Sequence, residues 1–223
     1  MQSIEKMEGG AKRVAPGMSV RERLLDAAEA LFADHGFHGA PMREITSKAG
    51  TRLANINDHF GSKEALFQEV IARRARLINA DRLALLASLP RSRGKAAELQ
   101  SLVEAFASPL LERSLQGAEW RNYLRLLAQL TNTRSHVLLL IADEFNPIGE
   151  IFIDRIGKIL PHLTRRQKLN AYQLMVSSAM AIFADTGRID VLSGGLEQSS
   201  DFSNHYKDMV CFVVGGILQL GRQ

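Results

Sequence analysis

The chain has 223 residues, 46% of them hydrophobic and 23% charged, the composition of an ordinary globular protein long enough for one large or two small domains. A single cysteine, Cys211, excludes a disulfide framework and a cysteine-cluster zinc site within one chain. The formal charge of +4 is spread unevenly: Arg73, Arg74, Arg76, Arg82, Arg91, Arg93 and Lys95 face one acid, Asp81, within residues 73–95, whereas residues 1–72 and 96–223 are each close to neutral.

The opening stretch, MQSIEKMEGGAKRVAPGMSV, lacks an apolar core and reads as a flexible arm over residues 1–17, not a signal peptide. No apolar run approaches the roughly 18 residues of a membrane span, so no membrane partner is expected and the cytoplasm is the expected location. The first helix opens at Ser19, with Glu22 three residues on as a capping box. Leu24, Leu25, Ala28, Leu31 and Phe32 form its apolar stripe, and Gly36 ends it. A second helix starts near Pro41, turns Met42, Ile45 and Ala49 inward, and closes at Gly50. A third runs from about Arg52 to Phe60, with Ile56 and Phe60 buried at i, i+4. Ser62 caps a fourth, from Lys63 to about Leu89, stopped by Pro90.

Beyond the basic loop RSRGK the helical period continues. Ala96–Gln116 is expected to be interrupted by Pro109. Glu119–Thr131 follows, then Ser135–Leu160, which Pro147 should kink or split. Thr164–Asp185, a Gly/Ser-rich loop and Phe202–Leu220 complete about nine helices, with no strand pattern. The expected fold class is all-α: a three-helix N-terminal domain over residues 18–64, then an antiparallel helical bundle over residues 65–223.

Residues 41–60 have the layout of a helix-turn-helix, two short helices joined at a glycine, the second of which enters the major groove. Gly50 supplies a left-handed turn that other residues resist. Ile56 and Phe60 pack, which leaves Arg52, Asn55, Asn57, Asp58 and His59 on the DNA side. Arg suits guanine, Asn suits adenine, and Leu53 can meet a thymine methyl. Lys63, at the positive end of the next helix, suits a phosphate, as do Thr51 and His59. Arg43 completes the expected set. The basic block at 73–95 either adds to DNA attraction or is a solvated helix face.

The segments LLDAAEALFADHGF, MREITSKAG and HFGSKEALF, in that order and spacing, closely resemble the N-terminal domain of TetR-family transcriptional regulators. The resemblance covers about Val20 to Val70. It implies an all-helical homodimer whose first three helices bind a palindromic operator. It also implies that the later helices hold a small-molecule pocket and the dimer interface, and that the ligand releases DNA. Three positions depart from the family pattern. Thr51 and Arg52 stand where Val and a capping residue are usual, Ala40 where Thr is common, and Asp58 where an aromatic, most often Tyr, touches the DNA backbone. A looser resemblance of NDHFGSK, GAEWRNYLRLLAQL and DEFNP to a subgroup sensing acyl chains or xenobiotics suggests an apolar or amphipathic effector.

The last helix carries Met209, Val210, Phe212, Val213, Ile217, Leu218 and Leu220 nearly all round, with Gly215 and Gly216 permitting close approach. It is expected between subunits beside Thr164–Asp185, with Met175 and Gly216 in the same interface; an intrachain core helix is the alternative. Cys211, inside this run, is expected to be a buried thiol. Trp120, Tyr123, Leu127, His136, Phe145, Tyr172, Met175 and Met180 are candidate pocket residues, each equally suited to plain core. His35 and His38 flank a helix end without further ligands, so no metal is expected. Asp143 and Glu144 suit a solvated or capped helix. No nucleophile elbow, phosphate loop or dinucleotide fingerprint occurs, so neither an enzyme nor a cofactor is expected. The expectation is a ligand-responsive, homodimeric repressor that binds double-stranded operator DNA and is released by a small effector. The alternative is a small-molecule-binding helical protein whose operator binding is weakened or lost.

Overall fold

A computed structural model describes residues 17–90, 94–131 and 137–220. All regular structure among them is helical, in eleven elements: α1 Val20–Gly39, α2 Met42–Lys48, α3 Ala54–Phe60, α4 Lys63–Ala87, α5 Lys95–Ser114, α6 Ala118–Thr131, α7 Val137–Leu140, α8 Ala142–Ile159, α9 Arg165–Phe183, α10 Arg188–Leu192 and α11 Phe202–Leu220. No helix among the described residues is long and apolar enough to cross a membrane.

The start of α1 follows from its cap. The Ser19 hydroxyl accepts from the Glu22 amide, and the Glu22 carboxylate accepts from the Ser19 amide at 2.8 Å. Those bonds hold the Glu22 carboxyl below its usual range. Gly36 breaks the helix with φ 69°, and one further turn then runs on to Gly39. Phe32, Phe37 and Phe67 meet beneath this turn with ring centroids 5.1–6.0 Å apart, so the end of α1 is fixed against α4.

α4 is a single 25-residue helix that packs on α1 and α3 at one end and on α5 and α8 further along. Its arginines tie it to its neighbours. Arg74 Nε and Arg73 Nη2 donate to the buried Glu29 carboxylate of α1 at 2.6 and 3.1 Å, and Arg73 also meets Asp26 at 2.7 Å. Arg76 pairs with Glu144 of α8 at 2.7 Å. Three members of the basic block, Arg73, Arg74 and Arg76, are therefore paired within the chain, while Lys95 is exposed and Arg91 and Arg93 lie outside the described residues.

Four sequence expectations are corrected. α5 runs unbroken through Pro109. The proline forfeits one backbone hydrogen bond, but the turns around it bury Leu102, Val103, Phe106 and Leu110, and that packing keeps the helix together. Pro147 neither kinks nor splits its segment visibly. The break falls earlier, at Ile141, between α7 and α8, and Pro147 sits in the second turn of α8, where it forfeits only a bond near the helix start. Among the described residues the helices number eleven, because the expected Ser135–Leu160 helix is two and α10 lies between the expected Thr164–Asp185 helix and the Gly/Ser-rich loop. Cys211 is exposed rather than buried, because it stands on the side of α11 that faces away from the chain's own core.

Candidate nucleic-acid interface and ligand cavity

α2 and α3 are seven residues each, too short to hold together without tertiary support. The support comes from Ile45, Ala49, Ile56 and Phe60, all buried against α1 and α4. Gly50, at φ 61°, reverses the chain between the two helices. A residue that sequence patterning passed over fixes the junction. Arg23 of α1 donates from Nε to the Ala49 carbonyl at 3.1 Å, satisfying a carbonyl at the C-terminal end of α2. Arg21, beside it, lies over the Phe60 ring at 5.3 Å and pairs with Glu69. Only the three-dimensional approach of α1 to α2, α3 and α4 identifies these roles; at the sequence level both arginines read as solvated charges.

With the apolar face of α3 seated, Arg52, Leu53, Asn57, Asp58 and His59 are exposed on the outward side, and Arg43 is exposed on α2. Asn55 and Thr51 are half-buried and hydrogen-bonded to each other, so their polar groups brace the start of α3. Lys63 extends over the Phe37 ring, 4.9 Å from its centroid, and partial burial lowers its pKa. Its ammonium thus caps the aromatic cluster under α1. Of the expected DNA-side set, Arg43, Arg52, Leu53, Asn57, Asp58 and His59 share open surface, while Thr51, Asn55 and Lys63 have partners within the chain.

A cavity of about 320 Å³ lies among α4, α5, α6, α7, α8 and α9. Leu127, Phe145, Tyr172 and Met180 line it, together with residues that were not expected there, among them Arg82, Phe106, Asn146 and Val176. Three candidates do not line it. Trp120 is held between Arg74 and Arg113, at 4.6 and 5.0 Å from the two guanidinium carbons. Tyr123 is buried and donates to the Ile71 carbonyl at 3.3 Å, and burial raises its pKa. Met175 is fully buried in the core on another face of α9. In each case helical spacing alone could not say which flank of a buried helix meets a void. His136 lies outside the described residues.

The expected interface residues divide by helical face. Met175, Met209, Val213 and Ile217 are buried within the single chain, where α11 packs on α5 and α9, although Met209 also borders a surface groove beside Phe212. Leu220 is half-buried. The outer face of α11 instead presents Cys211, Phe212 (75% exposed), Gly215 and Gly216. A helix apolar all round covers two different surfaces. The sequence did not show which residues face the chain's own core.

Residues 24–70 match the family model described as bacterial regulatory proteins of the tetR family, and residues 104–216 match the model described as tetracyclin repressor-like, C-terminal domain. The transcriptional regulator UidR of Escherichia coli K12 is 41% identical over 51 residues, 23% of this chain and 26% of that protein. The transcriptional activator FasR of Mycolicibacterium smegmatis is 33% identical over 117 residues, 51% of each. These matches span between about a quarter and half of the relatives' length. Among solved structures, Salmonella enterica GusR aligns over 94% of this chain and 99% of its own with a TM-score of 0.60 and 17% identity. Bacillus subtilis FadR, solved in complex with stearoyl-CoA, aligns over 87% and 98% with a TM-score of 0.54 and 16% identity.

Proposed function

This chain belongs to the TetR family of transcriptional regulators, and we propose that it is a ligand-responsive repressor that binds a palindromic operator as a homodimer. The observation that carries the reading is the outward side of α3. With α3 anchored by Ile56 and Phe60, Asn57 and His59 on the helix and Arg52 just before it are all exposed, and arginine and asparagine are the side-chain types that read guanine and adenine edges. The N-terminus of α4 adds backbone amides and a positive dipole end for a phosphate. Because the surrounding residues carry as many acids as bases, affinity depends on these placed contacts and not on a general positive field.

The second copy is assigned to the outer face of α11 with the adjoining stripe of α9. Phe212, Gly215 and Gly216 lie on one helix, and Leu174, Ser178 and Ala181 recur at i, i+4, i+7 on the other, beside a groove that Ser178, Ala181 and Phe212 share. Pairing there would bring two reading heads to one side of the dimer and make the operator a palindrome. The cavity among α4 to α9 is the effector site, and that a structural neighbour was solved with stearoyl-CoA supports a small-molecule ligand for a protein of this fold. The chain is accordingly not an enzyme, and its expected place is with the DNA in the cytoplasm.

One observation favours a second reading. Asp58 is exposed on α3, and its charge would oppose a phosphate. A protein that senses its ligand but holds DNA weakly would show that defect, and Asp58→Tyr would strengthen its binding.

The test is a salt titration on a tightly bound duplex, followed by fluorescence anisotropy. Arg52→Ala should weaken binding by about 1–3 kcal/mol and relax base preference at one position of each half-site. Unchanged affinity and preference in Arg52→Ala and Asn57→Ala would remove α3 as the reading element.

A further inference from the structure

Among the described residues the cavity wall holds one charged side chain, and no acid among them pairs with it. Arg82 of α4 is 4% exposed and is the one charged residue among the described residues that line the void. Its Nε donates to the Phe106 carbonyl at 2.9 Å, one Nη1 hydrogen goes to Asn79 Oδ1 at 3.2 Å, and the guanidinium lies over the Phe106 ring at 4.0 Å. Nearby acids are committed elsewhere. Glu29 serves Arg73 and Arg74, Glu144 serves Arg76, and Asp81, next in sequence, serves Arg113. Residues 132–136, NTRSH, bring no acid in sequence. Burial lowers the Arg82 pKa to about 10, so the group is still a cation at neutral pH. A buried cation with no counter-ion is a costly feature unless something pairs with it.

We propose that Arg82 is the counter-ion for the effector, and that the cavity takes an amphipathic organic anion: a carboxylate head on an apolar body. This rests on the reading of the cavity as the effector site. A guanidinium has five donors. Two are used here, and the three that remain are one on Nη1 and both on Nη2, the pair of nitrogens whose spacing matches the two oxygens of a carboxylate. The rest of the wall is chemically different. Leu127, Phe145, Val176 and Met180 are apolar, and the Asn146 and Gln173 amides carry no charge. The volume, about 320 Å³, is at the low end of the range for ligand pockets, which runs from about 300 to 1,000 Å³. That size suits a medium-length chain or a small aryl group directly behind the head.

The experiment is isothermal titration of the full-length protein with octanoate, decanoate, dodecanoate, 4-phenylbutanoate and 2-naphthoate, each beside the alcohol of the same skeleton and, for the ten-carbon chain, decylamine. At least one carboxylate should bind about tenfold or more tighter than its alcohol, decylamine should not bind, and Arg82→Gln should level carboxylate with alcohol while still binding the alcohol. If no carboxylate outbinds its alcohol on the wild-type protein, the proposal falls. That comparison needs no variant, so it decides even where Arg82→Gln fails to fold. Operator release, followed separately, keeps the two readings apart. Carboxylate binding without DNA release would leave the Arg82 assignment standing and remove the effector role. Release by alcohols as readily as by carboxylates would do the reverse.

Discussion

At the level of single residues, the reading head depends on a few positions whose chemistry is not interchangeable. Gly50 holds φ 61°, and a Cβ there would meet nothing within 4 Å. Gly50→Ala therefore isolates the backbone term: stability should fall by about 1–2 kcal/mol, seen as a melting temperature lowered by about 2–8 °C. An unchanged melting temperature would mean that the turn relaxes without strain. Glu29 is different, because it is 2% exposed and takes both Arg73 and Arg74. Glu29→Ala leaves Arg74 without a carboxylate and Arg73 with Asp26 alone, and chemical denaturation should report a loss of about 3 kcal/mol. Glycine was legible in the sequence at both α1 and α2, because only that residue adopts such turns without cost. Arg23, Glu29 and Arg82 were not. Their types suit solvated surface, and only the approach of a second helix converts each into a cap, a buried ion-pair hub or an uncompensated cation.

At the level of helices, strongly patterned elements with good caps appear where periodicity put them. Ser19 and Ser62 start α1 and α4, and α11 spans the predicted Phe202–Leu220. The prolines misled, because a proline's local cost of about 3 kcal/mol is smaller than the burial that a long core helix such as α5 gains on both sides of it. The two faces of α11 were legible only as an all-round apolar helix, and burial separates them. Its inner side belongs to the chain's own core, while Phe212 stands in solvent on the other. Phe212→Glu should accordingly leave the fold unchanged by circular dichroism, shift the species from dimer to monomer in sedimentation, and weaken operator binding with it. A Phe212→Glu protein that stays dimeric would move the interface off this face.

At the level of the whole molecule, α4 links the proposed activities. Its 25 residues make a rod of roughly 37 Å. The rod starts beside α3, is clamped to α1 through Glu29, and carries Arg82 into the cavity wall. A second tie joins the reading head to the bundle: Gln129 of α6 donates to the Ala33 carbonyl near the end of α1 at 2.7 Å, and Arg125 meets Asp34 at 3.0 Å. An anion that draws Arg82 toward it would act on the same helix that supports α3, which gives the ligand a direct mechanical route to the DNA side. The family and the all-helical architecture could be read from three short motifs in order. The cavity could not, because a void is a property of how helices meet and no single helix carries its pattern.

The most direct measurement is selection of bound duplexes from a random DNA library by the purified protein at about 0.15 M salt, read by sequencing. The account predicts one enriched palindrome with two fixed half-sites, with Asn57→Ala losing preference at a single position of each half. No enrichment by a folded, dimeric protein would contradict the claim that the outward side of α3 reads an operator.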